Sequence, residues 1–220
     1  KGKSLNGIYG DVIQEIDWSV GEVVNALKKH DLHKKTIVMF TSDNGPWEVF
    51  KTHGGSSGLL RGAKGGTREG GMREPAIFWG PGNVKPGVVQ GLGSTLDVLP
   101  TFASLAGAKI PEERKIDGYD LSEVLLTQGN SPRKEMYYFG GAKLSAIRFE
   151  NYKVQLREAN GINPKKLTKP ELYHLGEDPS EKYNLASKHP EIIKDLINRG
   201  EKMKSGIKEV PDQLIPKTLN

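Results

Sequence analysis

The run Thr36-Ile-Val-Met-Phe-Thr-Ser-Asp-Asn-Gly45 constrains this fold more than any other stretch, because a continuous apolar segment stops abruptly at small polar residues. Ile37, Val38, Met39 and Phe40 do not alternate with polar residues. That pattern predicts a strand covered on both faces, as in the parallel sheet of an α/β domain. Open sheets of that class bind ligands in the crevice beyond the carboxyl ends of their strands. Asp43 and Asn44 stand at that end, ahead of a Gly45-Pro46 turn. Asp-Asn-Gly alone is ordinary turn chemistry. Two adjacent oxygen-bearing side chains at a strand end also suit a hard divalent cation, Ca²⁺ or Mg²⁺.

The flanking sequence supports α/β grammar. Residues 8–30 predict an amphipathic helix. Val12, Ile16, Val20, Val23, Val24 and Leu27 recur at helical spacing, and Lys28-Lys29-His30 complement the C-terminal end of the dipole. After the strand comes a long loop, 51–74, containing eight glycines. Long glycine-rich loops that lead straight into a strand, here Pro75-Ala-Ile-Phe-Trp79, are usually functional. The loop matches no phosphate-binding Gly-x-x-x-x-Gly-Lys-Ser/Thr spacing. A short strand is expected around Val88–Gly91. A helix is expected over Leu96–Gly107, packing through Leu96, Leu99, Phe102, Ala103, Leu105 and Ala106, with another near Leu121–Leu126.

Thr127–Pro132 is turn-rich and marks the expected boundary between a unit at 1–132 and a smaller one at 133–220. In the second unit, 135–139, 145–149, 153–157 and 171–175 predict short strands. Glu150-Asn151 forms a hairpin turn, and a helix opens at Pro190. Consecutive strands closed by one helix imply an antiparallel α+β unit.

Composition removes several functions. There are no cysteines, so disulfides, zinc-cysteine sites and cysteine nucleophiles are excluded within the segment. No apolar run approaches the roughly 20 residues that span a bilayer, which argues against a membrane role. The net charge of +5 is spread along the chain. It forms no aromatic-interleaved basic patch, so nucleic acid is not an expected partner. No Asn-x-Ser/Thr sequon occurs, and with the missing cysteines this leans towards a bacterial periplasmic or secreted protein rather than a lysosomal one.

Seven segments together resemble the C-terminal portion of the sulfatase family, of the arylsulfatase A and N-acetylgalactosamine-6-sulfatase type. They are Tyr9-Gly-Asp-x-x-x-Glu-Ile-Asp-x-x-Val-Gly21, Phe40-Thr-Ser-Asp-Asn-Gly-Pro46 and Leu60-Arg-Gly-x-Lys-Gly-x-Thr-x-Glu-Gly-Gly-Met-Arg-Glu-Pro75. Trp79-x-Pro-Gly82, Ser94-x-Leu-Asp-Val-Leu-Pro-Thr101, Asp117-Gly-Tyr-Asp-Leu121 and Leu172-Tyr-His-Leu-Gly-Glu-Asp-Pro-Ser-Glu-Lys-Tyr-Asn-Leu185 complete the set. The resemblance implies an alkaline-phosphatase-like α/β sheet domain, here only its C-terminal half, followed by the small α+β unit. It implies that Asp43 and Asn44 are ligands of an active-site Ca²⁺ and that Lys64 contacts the sulfate group. His53 is expected to be a loop residue near the site and a candidate substrate contact, since the family's catalytic histidines lie upstream. Glu69 and Arg73, four apart, are expected to clamp the glycine loop internally, and His174 to have no partner.

Family members use a formylglycine nucleophile made from Cys or Ser in a Cys/Ser-x-Pro/Ala-x-Arg motif. This segment has no such motif. The nucleophile, the first metal-binding aspartates and two histidines are expected upstream, in a missing N-terminal part of the domain. The resemblance therefore implies hydrolysis of a sulfated small molecule or sulfated glycan by the complete protein, and no turnover by these 220 residues alone. Two other readings of the residues stay open: a metal-dependent phosphatase or phosphonate hydrolase of the same superfamily, and a non-catalytic module that binds sulfated glycans.

Overall fold

The structure, a computed structural model, describes residues 2–161 and 163–207. Its first element is α1, Gly7–Lys29. The Asp11 carboxylate accepts the backbone N–H groups of Lys3 and Ser4 at 2.9 Å, tying the entering chain to the first turns. Lys28 and Lys29 close the helix where the dipole favours cations. Its apolar stripe is largely unpartnered. Val20, Val24 and Leu27 are partly covered, whereas Val12, Ile16 and Val23 are exposed.

The opening strand is β1, Val38–Thr41, and it pairs antiparallel with β2, Ala76–Trp79, in a two-stranded sheet. The expected cover on both faces is not found, and Phe40 and Ile77 remain exposed. The reason is local. Within the described residues β1 has only β2 beside it, and two strands cannot enclose an apolar run. Between them lie a 3₁₀ segment, Glu48–His53, and one α-helical turn, α2, Glu69–Met72.

No strand forms at 88–91, and Val88 is 84% exposed. Asp97 reorganises the region that follows. Ser94 and Asp97 form a capping box at a 3₁₀ turn, Thr95–Asp97, which runs into α3, Val98–Leu105. The Asp97 carboxylate also accepts Tyr119 N–H at 2.7 Å and Arg133 Nε–H at 2.8 Å. Pro100 and Thr101 are the buried residues of α3, while Leu96 and Leu99, expected in its packing face, are exposed. Gly107 follows the helix at φ +67°, the left-handed exit that glycine allows. Helix α4, Ser122–Thr127, comes next.

The C-terminal strands follow the expected grammar. They are β3, Glu135–Gly140; β4, Lys143–Phe149; β5, Tyr152–Arg157; and β6, Lys166–His174. They form one antiparallel sheet in the order β3-β4-β5-β6. Glu150, at φ +51°, makes the tight β4–β5 turn. Helix α5, Pro190–Ser205, starts with Pro at its first turn and covers one face of the sheet. Leu144, Ile147, Val154, Leu172 and Leu196 form the core between them. Gly200 lets α5 approach closely, since a Cβ there would lie 2.5 Å from Ile147 Cδ1.

Candidate active site

The polar end of β1 is held by backbone packed against backbone. Gly45 N–H donates to Gly71 C=O at 3.2 Å, and Lys64 N–H donates to Pro46 C=O at 3.0 Å. A Cβ on Gly45 would lie 1.9 Å from Gly70 O, and one on Gly70 would lie 2.3 Å from Gly62 O. These glycines are required by close approach, because only residues without a Cβ allow three chain segments to touch here. The structure thus brings Asp43-Asn44 and Lys64, 20 positions apart in sequence, onto one assembly.

Asp43 is exposed and Asn44 partly covered. The Asn44 amide donates to Gly45 C=O at 3.1 Å, which leaves its oxygen as an acceptor. Adjacent carboxylate and amide oxygens are the right chemistry for a hard cation. Among the described residues no group of three His, Cys, Asp or Glu could complete a metal shell. The pair fits Ca²⁺ as part of a coordination sphere rather than the whole. Glu74 lies close by. Burial raises its carboxyl above the usual range, Ser42 opposes that, and the nearby Asp43 charge adds to it.

The Lys64 ammonium sits 4.9 Å from the centre of the Trp47 ring, a cation–π contact. His53 ends the 3₁₀ segment Glu48–His53 and is exposed. Among the described residues no hydrogen bond joins it to Asp43, Asn44 or Lys64. Beside Gly45 and Pro46 opens a pocket of about 430 Å³, lined in part by Ser56, Ser57, Arg73 and Glu74.

The expected Glu69–Arg73 clamp is replaced by a longer-range one. Arg73 leaves the helix with an extended backbone, so its side chain departs from the Glu69 face, and only its N–H reaches Glu69 C=O, at 2.7 Å. The Glu69 carboxylate instead accepts Lys153 Nζ at 2.9 Å. Lys153 lies 3.2 Å from Glu181, whose other oxygen accepts Glu69 N–H at 2.8 Å. Arg68 pairs with Glu171, and Gln155 donates to Thr67 Oγ1 at 2.8 Å. Lys153, Gln155 and Glu181 are fully buried. The second face of the C-terminal sheet is therefore a polar seat for the glycine loop.

Sequence reasoning missed this cluster. Its signal was the alternation of β5, which sends Val154 and Leu156 to one face and Lys153 and Gln155 to the other. That alternation gives no sign that the polar face is covered. His174, expected to lack a partner, packs edge-on against Tyr152 at 4.8 Å between ring centres.

Comparison with known proteins settles the relationship. The family model described as Sulfatase matches residues 5–108, and the C-terminal region of aryl-sulfatase matches residues 131–219. The chain belongs to the sulfatase family. Bovine arylsulfatase A is 39% identical over 215 residues, covering 89% of this chain and 42% of that protein. Mouse N-acetylgalactosamine-6-sulfatase is 35% identical over 240 residues, covering 98% of this chain and 45% of that protein. A solved sulfatase structure from a glycosaminoglycan-metabolism locus of Bacteroides thetaiotaomicron is 32% identical. It superposes with a TM-score of 0.78 over 93% of this chain and 46% of that one. The chain thus spans less than half the length of these relatives. No helix among its described residues is long and apolar enough to cross a membrane.

Proposed function

We propose that this chain is the C-terminal part of a sulfatase whose complete form hydrolyses sulfate esters, and that Asp43, Asn44 and Lys64 form one wall of its active site. The observation that carries the reading is the glycine assembly, which holds the Asp43-Asn44 strand end and the Lys64 loop together by direct backbone hydrogen bonds. Asp43 and Asn44 would hold part of the shell of a Ca²⁺ ion. When bound, the ion would draw charge from a sulfuryl oxygen. Lys64 acts beside it as a mobile point charge with three donors, stabilising negative charge that develops during transfer.

The formylglycine nucleophile and the remaining metal ligands come from the N-terminal part of the domain, which is the obligatory partner of this wall. In this reading the chain divides near residue 132, and His53 lies at the rim of the site rather than in the chemistry. The substrate is a sulfated small molecule or sulfated glycan. The absence of cysteines and sequons supports a bacterial periplasmic or secreted setting.

The test uses the complete protein. Lys64→Ala should lower kcat/KM on a sulfate monoester by at least about 100-fold, the scale for losing one charge-stabilising group. Asp43→Ala should abolish the thermal stabilisation by Ca²⁺. A larger turnover of phosphate than of sulfate monoesters would overturn the reading. So would turnover by the 220-residue chain alone that disappears on Lys64→Ala.

A further inference from the structure

Beside Lys64 the chain displays two partly exposed aromatic rings. Trp47 is 46% exposed and Phe50 53% exposed, with ring centres 4.8 Å apart and planes perpendicular. They do not sit on a loose loop. Trp47 N–H donates to Gly54 C=O at 3.0 Å, and Phe50 N–H and Gly54 N–H donate to Trp47 C=O and Lys51 C=O, each at 3.0 Å. Lys51 takes a left-handed backbone, φ +50° and ψ −122°, to close the turn. A Cβ on Gly54 would lie 2.0 Å from Trp47 O. The loop that holds these rings is closed by its own backbone hydrogen bonds, so it presents them beside Lys64 as a fixed surface.

We propose that Trp47, braced by Phe50, is a stacking platform for the pyranose ring that carries the sulfate. The inference rests on the sulfatase reading of Lys64. With the Lys64 ammonium 4.9 Å from the indole centre, an ester oxygen at hydrogen-bond distance, about 3 Å, leaves its carbon skeleton within reach of the ring. The C–H face of a pyranose is flat and weakly positive and suits an aromatic face. Its hydroxyls need polar partners, and the pocket of about 430 Å³ beside Gly45 and Pro46 offers Ser56, Ser57 and Arg73. That volume falls within the range of small-ligand sites. A wholly apolar aryl or steroid skeleton would leave those groups unsatisfied.

The experiment compares the complete enzyme with its Trp47→Ala, Trp47→Phe and Phe50→Ala variants on a pyranose 6-sulfate and on an acyclic alkyl sulfate, with inorganic sulfate as inhibitor. Trp47→Ala should raise KM for the pyranose ester about tenfold, equivalent to roughly 1.4 kcal/mol of binding, with kcat little changed. Trp47→Phe should restore most of the loss, and Phe50→Ala should show a smaller rise. Inhibition by inorganic sulfate and KM for the acyclic ester should not move. Equal losses on both esters and on inorganic sulfate would mean that Trp47 acts only by placing Lys64, and would overturn the platform. So would unchanged kinetics in Trp47→Ala. Should the wild-type enzyme hydrolyse neither ester, the sulfatase reading falls separately. Quenching of indole fluorescence by the pyranose sulfate, lost in Trp47→Phe, would still support the platform, and its absence would overturn it.

Discussion

The two ends of this chain solve the problem of burial in opposite ways. The C-terminal sheet is covered on both faces: α5 packs on Ile147, Val154 and Leu172, and the glycine loop packs on Lys153 and Gln155. The N-terminal elements contain comparable apolar residues, yet Ile8, Val12, Ile13, Ile16 and Trp18 on α1 and Ile77 on β2 are all exposed. Hydrophobic content is therefore not what separates the two regions. Partners are. A two-stranded ribbon and a lone amphipathic helix cannot enclose their own apolar faces, whereas four strands and a helix can. The candidate site lies where the two regimes meet. Its loop is anchored to the self-contained sheet.

The largest expected effect comes from breaking that anchor. Lys153→Met removes the buried ammonium that Glu69 and Glu181 share and leaves them only the longer contacts to Arg148, at 3.7 Å, and Arg68, at 3.5 Å, which should cost about 3–5 kcal/mol, read as a drop in the urea midpoint. A change below about 1 kcal/mol would mean that the polar seat is not what joins the loop to the sheet. The core contrast comes next. Leu196, 1% exposed, should lose about 2–5 kcal/mol on truncation to alanine, the range for buried leucines. Ile16→Ala, at a residue 42% exposed, should change the stability of the 220-residue chain by no more than about 0.5 kcal/mol. Equal effects would erase the distinction between the regions.

The smallest effect is a pH dependence at the seam. Burial pushes the Glu171 carboxyl up, but the hydrogen bond and charge of Arg68, with Tyr173, outweigh it and hold the group below its usual value. A lowered carboxylate pKa adds stability above its unfolded value, about 4.3. That stability disappears as pH falls through the folded value. Melting temperatures of wild type and Glu171→Gln should therefore differ near neutrality and converge in acid. A gap that stays constant with pH would remove the ion pair as its cause.

Most elements could be read from the chain because their signals are local. The Pro190 start of α5, the Glu150-Asn151 turn and the alternation in β4 and β5 each act within a few residues. Asp43-Asn44 was readable as a candidate pair because the apolar run stops just before it. The errors have a common source. The continuous run Ile37–Phe40 says that its faces want cover, not whether a second layer is present. Leu96 and Leu99 share a helical face, but Asp97 and its contacts to Tyr119 and Arg133 decide that Pro100 and Thr101 point inward. Val88–Gly91 has β-forming residues but gains no strand partner.

By itself, the sequence determined most of the helices and strands, the antiparallel grammar after residue 132, the glycine loop and the family to which its motifs belong. These depend on periodicity, turn chemistry and short spacings. Only the tertiary structure decided that Glu69 pairs with Lys153 rather than Arg73, that the polar face of β5 is buried, and that Lys64 rests on Trp47. Each of those contacts joins segments remote in sequence or set by loop closure. No local rule assigns a charged side chain its distant partner, because that choice depends on which backbones can approach, and here eight glycines set the approach.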